Sequence, residues 1–272
     1  MPVNILSTKD LQAGDLERIF ALAEQGGPSI GLALPIAWSF EGNGIRTRAS
    51  FMQAFRDLGL SFTELPNLLK TTERVEDLAG YLDPMFAMYV IRESNHERLE
   101  AFARASKRPV LNAMSASEHP CEVITDAYYI HRFIKPLAKA RLLLWGPSTN
   151  IFRSWQGLAD LGLVTISRNR GQAISCTGKI GNSPLPAFDL VVTDHDPSSQ
   201  EAFEPLGLED LKALGQPALL PTPPFVVGRE LAFDPALYPG FVGYEQKALL
   251  IPVQAALLRL LLEPQAIHSK QR

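Results

Sequence analysis

Cysteine is scarce in this chain: Cys121 and Cys176 are the only two among 272 residues. They form no metal-ligand spacing and imply no disulfide framework, so a reducing cytoplasm is the expected setting. Long apolar runs are missing too. No segment approaches the roughly 18 uninterrupted apolar residues of a membrane span. The amino terminus carries Lys9, Asp10 and Asp15 and lacks the apolar core of a signal peptide, so neither export nor membrane insertion is expected. Charge of one sign is not in excess. The formal net charge is −3, and the 26 basic residues are scattered rather than gathered into a stripe that would track a nucleic-acid backbone. Nucleic acid is therefore an unexpected partner. There is no internal repeat and no low-complexity tract.

What is present is a regular alternation. Apolar, β-rich runs exchange with helical periods: Ser29 to Trp38, a helix over 46–58, a short strand near Phe62, a helix over 73–81, Met85 to Ile91, a helix over 95–106, then Val110 to Asn112. That order is the signature of parallel βαβ units. A longer helix is expected from Pro120 to about Ile134, with Val123, Ile124, Ala127, Tyr128 and Ile134 facing inward and Pro136 ending it. A second series begins at Arg141 to Gly146 and continues through a helix over 150–161, Val164 to Ser167, and a buried strand at Phe188 to Thr193. A closing apolar helix spans about Glu245 to Leu262, where Pro252 either bends it or marks its true start. The length suits one large α/β domain or two of roughly 130 residues. The pattern gives α/β with two similar-sized domains, 1–135 and 136–272. Each is a mainly parallel sheet flanked by helices, and the C-terminal helix packs back on the first domain.

The most informative segment is Gly44-Ile45-Arg46-Thr47-Arg48, between a hydrophobic run and a helix whose apolar positions are Phe51, Ala54, Phe55 and Leu58. At a helix start, free backbone N–H groups and the positive dipole end favour an anion, and arginine adds fork-shaped donors to phosphate oxygens. The plain alternative is that Arg46 and Arg48 are solvated surface charges.

Ser39-Phe40-Glu41-Gly42-Asn43-Gly44-Ile45-Arg46-Thr47-Arg48-Ala49-Ser50-Phe51 resembles the aspartate and ornithine carbamoyltransferase family, which has Ser-Thr-Arg-Thr-Arg-x-Ser-Phe here. A second block, Pro109-Val110-Leu111-Asn112-Ala113, then His119-Pro120-Cys121-Glu122 and Asp126, is similar to that family's Pro-Val-Ile-Asn, His-Pro-Cys-Gln and Asp. Arg92 matches the arginine that precedes this block. The resemblance implies transfer of a carbamoyl group from carbamoyl phosphate to an amine, without a cofactor or metal, in a homotrimer. Arg46 and Arg92 would neutralise phosphate charge, with Gly44 and Ile45 supplying backbone to the phosphate loop. Thr47 and His119 would reach the carbonyl oxygen, where donors stabilise a developing oxyanion, and Glu122 would hold the carbamoyl NH2. Taken alone, His119 reads first as a helix-capping or buried structural histidine, and it is the matching motif beside it that reverses the order.

For the second substrate, Gly146-Pro147-Ser148-Thr149-Asn150 resembles the ornithine branch's Gly-Asp-Gly-Asn-Asn and places Asn150 on the asparagine that contacts the acceptor amino acid. Val192 to Gln200 resembles Asp-x-x-x-Ser-Met-Gly, with Asp194 and Ser198 on matching positions. An aspartate and an asparagine at strand ends suit the ammonium and carboxylate of an amino acid. The bland reading is that Asp194 and Ser198 cap a turn. A metal site at Asp194-His195-Asp196 is less favoured, since no other histidine has matching spacing.

The pattern also breaks. Gly44-Ile45 replaces the family's Ser-Thr and removes two hydroxyl donors, each about 1.5–3 kcal/mol if unreplaced. Glu122 replaces glutamine and adds negative charge near a phosphorylated ligand. The loop that reaches a neighbouring subunit's site in the family reads Lys70-Thr71-Thr72-Glu73-Arg74, one place out of register. Leu220-Pro221-Thr222-Pro223-Pro224 lacks the histidine, cysteine and arginine of the family's late motif, and Lys247 or Arg229 are the available substitutes for a missing arginine. The leading expectation is a carbamoyltransferase acting on an ornithine-like amino acid. The alternatives are a same-fold transferase with another donor or amine, and a non-catalytic binding or regulatory relative.

Overall fold

The computed structural model describes residues 3–12, 14–169, 179–180, 183–184, 186–195 and 203–269, with 179–180, 183–184 and 263–269 described by backbone alone. The chain divides into two compact units, 1–125 with 249–272, and 126–248.

In the first unit, β1 (Ile36–Phe40) is buried at all five positions, the near-continuous apolar pattern of a strand covered on both faces. It pairs in parallel with β2 (Phe62–Glu64) on one side and β3 (Met88–Arg92) on the other, and β4 (Val110–Met114) completes the order β2-β1-β3-β4. The crossovers are α2 (Ile45–Asp57), α3 (Val75–Leu82) and α4 (His96–Ala105). The Asn95 side chain starts α4 by accepting from the Arg98 N–H at 2.9 Å. The connection after β1 leads to β2 while that after β3 leads to β4, so the β1/β3 border is a topological switch point, where open α/β sheets bind ligands.

The second unit repeats the logic. Its sheet is parallel with the order β10-β9-β5-β6, built from β5 (Arg141–Trp145), β6 (Thr165–Asn169), β9 (Leu190–Thr193) and β10 (Ala218–Pro221). Between β6 and β9, β7 (Lys179–Ile180) and β8 (Ser183–Pro184) form a two-residue antiparallel pair. Helices α6 (Asn150–Asp160) and α7 (Leu208–Ala213) follow β5 and β9, which makes β5/β9 the switch point here. Leu143, Trp145, Val191, Leu211 and Leu219 are core residues of this unit.

Several expectations are corrected. Strand pairing starts at Ile36 rather than Ser29, because Pro35 has no N–H for a ladder and Ile30 instead donates to Leu58 O at 2.8 Å. Helix α5 (Pro120–Tyr129) passes into a π-helical stretch, Ile130–Ile134, and Ile134 is only half-buried. The division between units falls at Thr125/Asp126, inside α5, rather than at 135. The closing segment is two helices, α8 (Gly243–Ala248) and α9 (Leu250–Ser269). Pro252 lies in the first turn of α9, where its missing N–H costs nothing, so it marks the start rather than a bend. Together with α1 (Asp15–Gln25) and α2, α9 packs into the first unit, as expected of a C-terminal helix returning to the first domain. Among the described residues no helix is long and apolar enough to cross a membrane.

Candidate active site

Every functional segment of the first unit leaves the carboxyl edge of its parallel sheet. Beyond β1, Gly44 takes the left-handed conformation (φ 40°, ψ 41°) and opens α2 with no side-chain cap and no acidic residue in the first turn. The first-turn N–H groups are therefore available to a ligand anion. Thr47 is buried in that turn, whereas Ile45 is 73% exposed, so at position 45 the chain offers a backbone N–H and no hydroxyl.

Arg92 closes β3 at a register irregularity: Ile91 pairs with Asn112 but Arg92 with Met114, a bulge of the kind that re-aims a side chain. Its guanidinium lies against Gly44, where an added Cβ would meet Nη1 at 3.1 Å. Burial, and then the positive charge of Arg46, hold the Arg92 guanidinium below its ordinary pKa; Glu41 opposes and Arg48 adds to the effect. Two guanidinium groups share this corner. Among the described residues neither the Arg46 nor the Arg92 side chain pairs with a carboxylate at contact distance. Arg48 differs from both. It forms an ion pair with Glu64, and its guanidinium carbon stands 5.1 Å from the Trp38 ring and 5.3 Å from the Phe40 ring. The arginine pair read from the sequence thus splits: Arg48 is taken up by structural contacts, whereas Arg46 lies within electrostatic reach of Arg92.

His119 and Glu122 come from the loop after β4 and the first turn of α5, and both are buried. Asn112 fixes this loop: its Nδ2 donates to Leu6 O at 2.8 Å, and Glu118 donates its N–H to Ser115 Oγ at 3.0 Å. Glu122 sits where a helix dipole favours a carboxylate, which gives it a structural reason to be acidic. Cys121, between them, is buried with its thiol pushed up to about 12 by desolvation.

In the second unit Asp194 directly follows β9, and Gly146 follows the neighbouring β5. Gly146 has φ +130°, and a Cβ there would lie 2.5 Å from Asp194 O, so this approach admits no side chain. Asp194 is buried, and its negative charge, after burial itself, raises the pKa of Asp126 well above the carboxylate range. Gln246 donates to Asp126 from Nε2. Asn150 begins α6, with Oδ1 accepting from Ile151 N–H at 2.8 Å. His195 turns to buried Glu230, Nδ1 to Oε2 at 3.0 Å. Ser198 and Asp196 lie outside the described residues.

Residues 4–132 match the family model described as aspartate/ornithine carbamoyltransferase, carbamoyl-P binding domain. Over this stretch the chain is similar to the aspartate/ornithine carbamoyltransferase family. An ornithine carbamoyltransferase of Methanopyrus kandleri is 33% identical over 145 residues, 47% of this chain and 45% of the relative. One from Nostoc punctiforme is 32% identical over 168 residues, 59% and 55% of the two chains. The chain thus spans about half the length of the curated relatives it matches. The crystal structure of ornithine carbamoyltransferase from Thermus thermophilus superposes with TM-score 0.83 over 96% of this chain and 99% of that one, at 21% identity. This likeness establishes the two-unit α/β fold across both halves.

The geometry also shows what the motifs alone did not reveal. Glu41 stood inside the quoted motif without a role, and Glu93 was not singled out. Both belong to a charged cluster beside Arg92, whose partner Lys70 comes from a distant loop.

Proposed function

We propose that this protein transfers the carbamoyl group of carbamoyl phosphate to the amine of an ornithine-like amino acid. The observation that carries the reading is the corner formed by Gly44, Arg46 and Arg92. Two guanidinium groups, one of them half-buried, crowd each other at an uncapped helix start on the switch point of the sheet. Like charges brought together out of water favour an anion between them. The relatives named as ornithine carbamoyltransferases give that anion its identity.

In this reading the first unit, residues 1–125 with 249–272, binds carbamoyl phosphate and the second, residues 126–248, binds the amino acid. Arg46, Arg92 and the N–H groups of Ile45 and Thr47 hold the phosphate. Thr47 and His119 donate to the carbonyl oxygen as the amine nitrogen attacks, and Glu122 accepts from the carbamoyl NH2. The carbon–oxygen bond to phosphate then breaks, phosphate departs with the electron pair, and the nitrogen loses a proton. Donors fixed before the reaction stabilise the oxyanion without reorganisation. In the second unit the negative charge of Asp194 suits the acceptor's ammonium, with Ser198 in the same motif and Asn150 from the segment Gly146–Asn150 as the other acceptor contacts. The assembly is a homotrimer in the cytoplasm, and its partners are small-molecule substrates.

One observation favours a second reading. The exposed Ile45 and the missing hydroxyl donors fit a same-fold transferase with an altered donor or amine. The separating experiment incubates the protein with carbamoyl phosphate and a panel of amines and follows phosphate release and the carbamoylated product. Release with ornithine supports the first reading. Release only with a different amine or donor supports the second, and no release with any pair leaves a binding protein.

A further inference from the structure

The loop 67–74 is stitched to its own unit. Arg98, on α4, donates from Nε to Leu69 O at 2.6 Å and from Nη2 to Thr71 O and Glu73 O, both at 2.9 Å. Lys70 in this loop has its Nζ 2.6 Å from Glu93 Oε1, 3.1 Å from Glu41 Oε1 and 3.2 Å from Ser94 Oγ. Glu41 opens the loop after β1 that leads to Arg46, and Glu93 and Ser94 directly follow Arg92. The ammonium therefore bridges the two segments that carry the anion-binding arginines. Glu41 reinforces the bridge: its Oε2 accepts from Ser94 N–H at 2.7 Å, and its own N–H donates to Arg92 O at 3.0 Å.

Charge gives the bridge a second effect. Glu93 is buried, with 2% of its side chain exposed, and Glu41 acts electrostatically on Arg92. Without a cation between them, two carboxylates would face each other next to a site meant for a phosphorylated ligand, and both would oppose its binding.

We propose that Lys70 is a positioning residue for the anion site of its own chain, clipping the loop after β1 to the end of β3 and cancelling the Glu41 and Glu93 charges beside Arg46 and Arg92. The titration directions agree with this geometry. The Glu93 hydrogen bond chiefly raises the Lys70 pKa, against desolvation. Burial alone would raise Glu41, but hydrogen bonds from Ser94 and Lys70 outweigh it and lower it. The inference departs from the family expectation that this loop serves a neighbouring subunit. It rests on the proposed function only for the identity of the anion.

The test is calorimetric titration of inorganic phosphate and carbamoyl phosphate into the unaltered chain, Lys70→Gln, Lys70→Arg, and Lys70→Gln with Glu41→Gln. The expected result is saturable binding to the unaltered chain and at least ten-fold weaker binding to Lys70→Gln. Lys70→Arg should keep most of the affinity, and adding Glu41→Gln should recover much of what Lys70→Gln loses. In turnover, KM for carbamoyl phosphate should rise more than kcat falls. Wild-type affinity in Lys70→Gln overturns the inference, as does a loss that neither companion change repairs. If the unaltered chain binds neither anion, the pocket assignment itself fails and takes this one with it. Mixing Lys70→Gln chains with His119→Ala chains separates action within a chain from action across chains: no recovery of activity is expected, and recovery would overturn the proposal.

Discussion

Arg92 leans on Gly44 so closely that a single methyl group at position 44 would stand 3.1 Å from its Nη1. Gly44 also adopts φ +40°, a conformation that costs an L-residue about 1–2 kcal/mol. Gly44→Ala should therefore lower stability by about 1–2 kcal/mol in a denaturant melt. It should also displace the guanidinium, weakening phosphate binding roughly ten-fold. Normal phosphate affinity in a folded Gly44→Ala chain would show that Arg92 is not an anion ligand.

Removing the chemistry itself should separate the two units' roles. Arg46→Ala and Arg92→Ala should each abolish phosphate release from carbamoyl phosphate at micromolar donor. His119→Ala should reduce kcat by about 10²–10³, the usual cost of one oxyanion donor. Asp194→Asn should instead raise KM for the acceptor amine while leaving carbamoyl phosphate binding intact. Steady-state kinetics with both substrates varied would distinguish these patterns.

Carbamoyl phosphate should protect the protein against heat. A ligand that binds only the native state adds about 2.7 kcal/mol at a hundred-fold excess over its Kd. Scanning calorimetry with rising carbamoyl phosphate should show the melting temperature climbing, and the Arg46→Ala variant should show no such climb.

Asp126 gives a pH signature. Its pKa in the folded chain is raised, by burial first and the Asp194 charge second, above the value it has unfolded. The folded state therefore holds the extra proton, and the stability this contributes, full below the ordinary carboxylate range, is lost as pH rises through the raised value. Asn at this position keeps an Oδ1 acceptor for Gln246 and has no proton to lose. Asp126→Asn should consequently gain melting temperature relative to the unaltered chain at pH 8 but not at pH 4. Parallel profiles would contradict the buried neutral carboxyl.

Cys121 should be inert. With its thiol pushed up to about 12 and Sγ donating to Asn112 O at 3.4 Å, it holds almost no thiolate at pH 8. Peptide mapping after iodoacetamide treatment should find Cys121 unmodified in the native protein and modified once denaturant is present.

The alternation of apolar runs and helical periods made the parallel α/β fold readable, because helix and strand periodicities are local properties of a chain. Helix α2 runs from Ile45 to Asp57 where 46–58 was expected, and β2 falls at Phe62. The motif singled out Gly44, Arg46 and Arg92, and the structure brings these three residues together. What local pattern could not carry was pairing at a distance. The fate of Arg48 depends on Glu64, which reaches it only because β2 pairs with β1 in parallel. Lys70 likewise meets Glu41 and Glu93 through sheet order, not spacing. The division of the chain inside α5 was hidden because one uninterrupted helix leaves no break in composition.

The packing of α9 against α1 and α2 carries a consequence for biosynthesis. The first unit joins residues 1–125 to residues 249–272, so part of it is made only after the whole of 126–248. Until residues 250–262 emerge, the faces of α1 and α2 that pack on α9 lack that cover, however complete the sheet beside them. The corner at the start of α2 is thus mounted on a helix whose packing waits for a segment made after the whole second unit. A ribosome-bound chain lacking α9 should resemble a client of chaperones more than a folded domain.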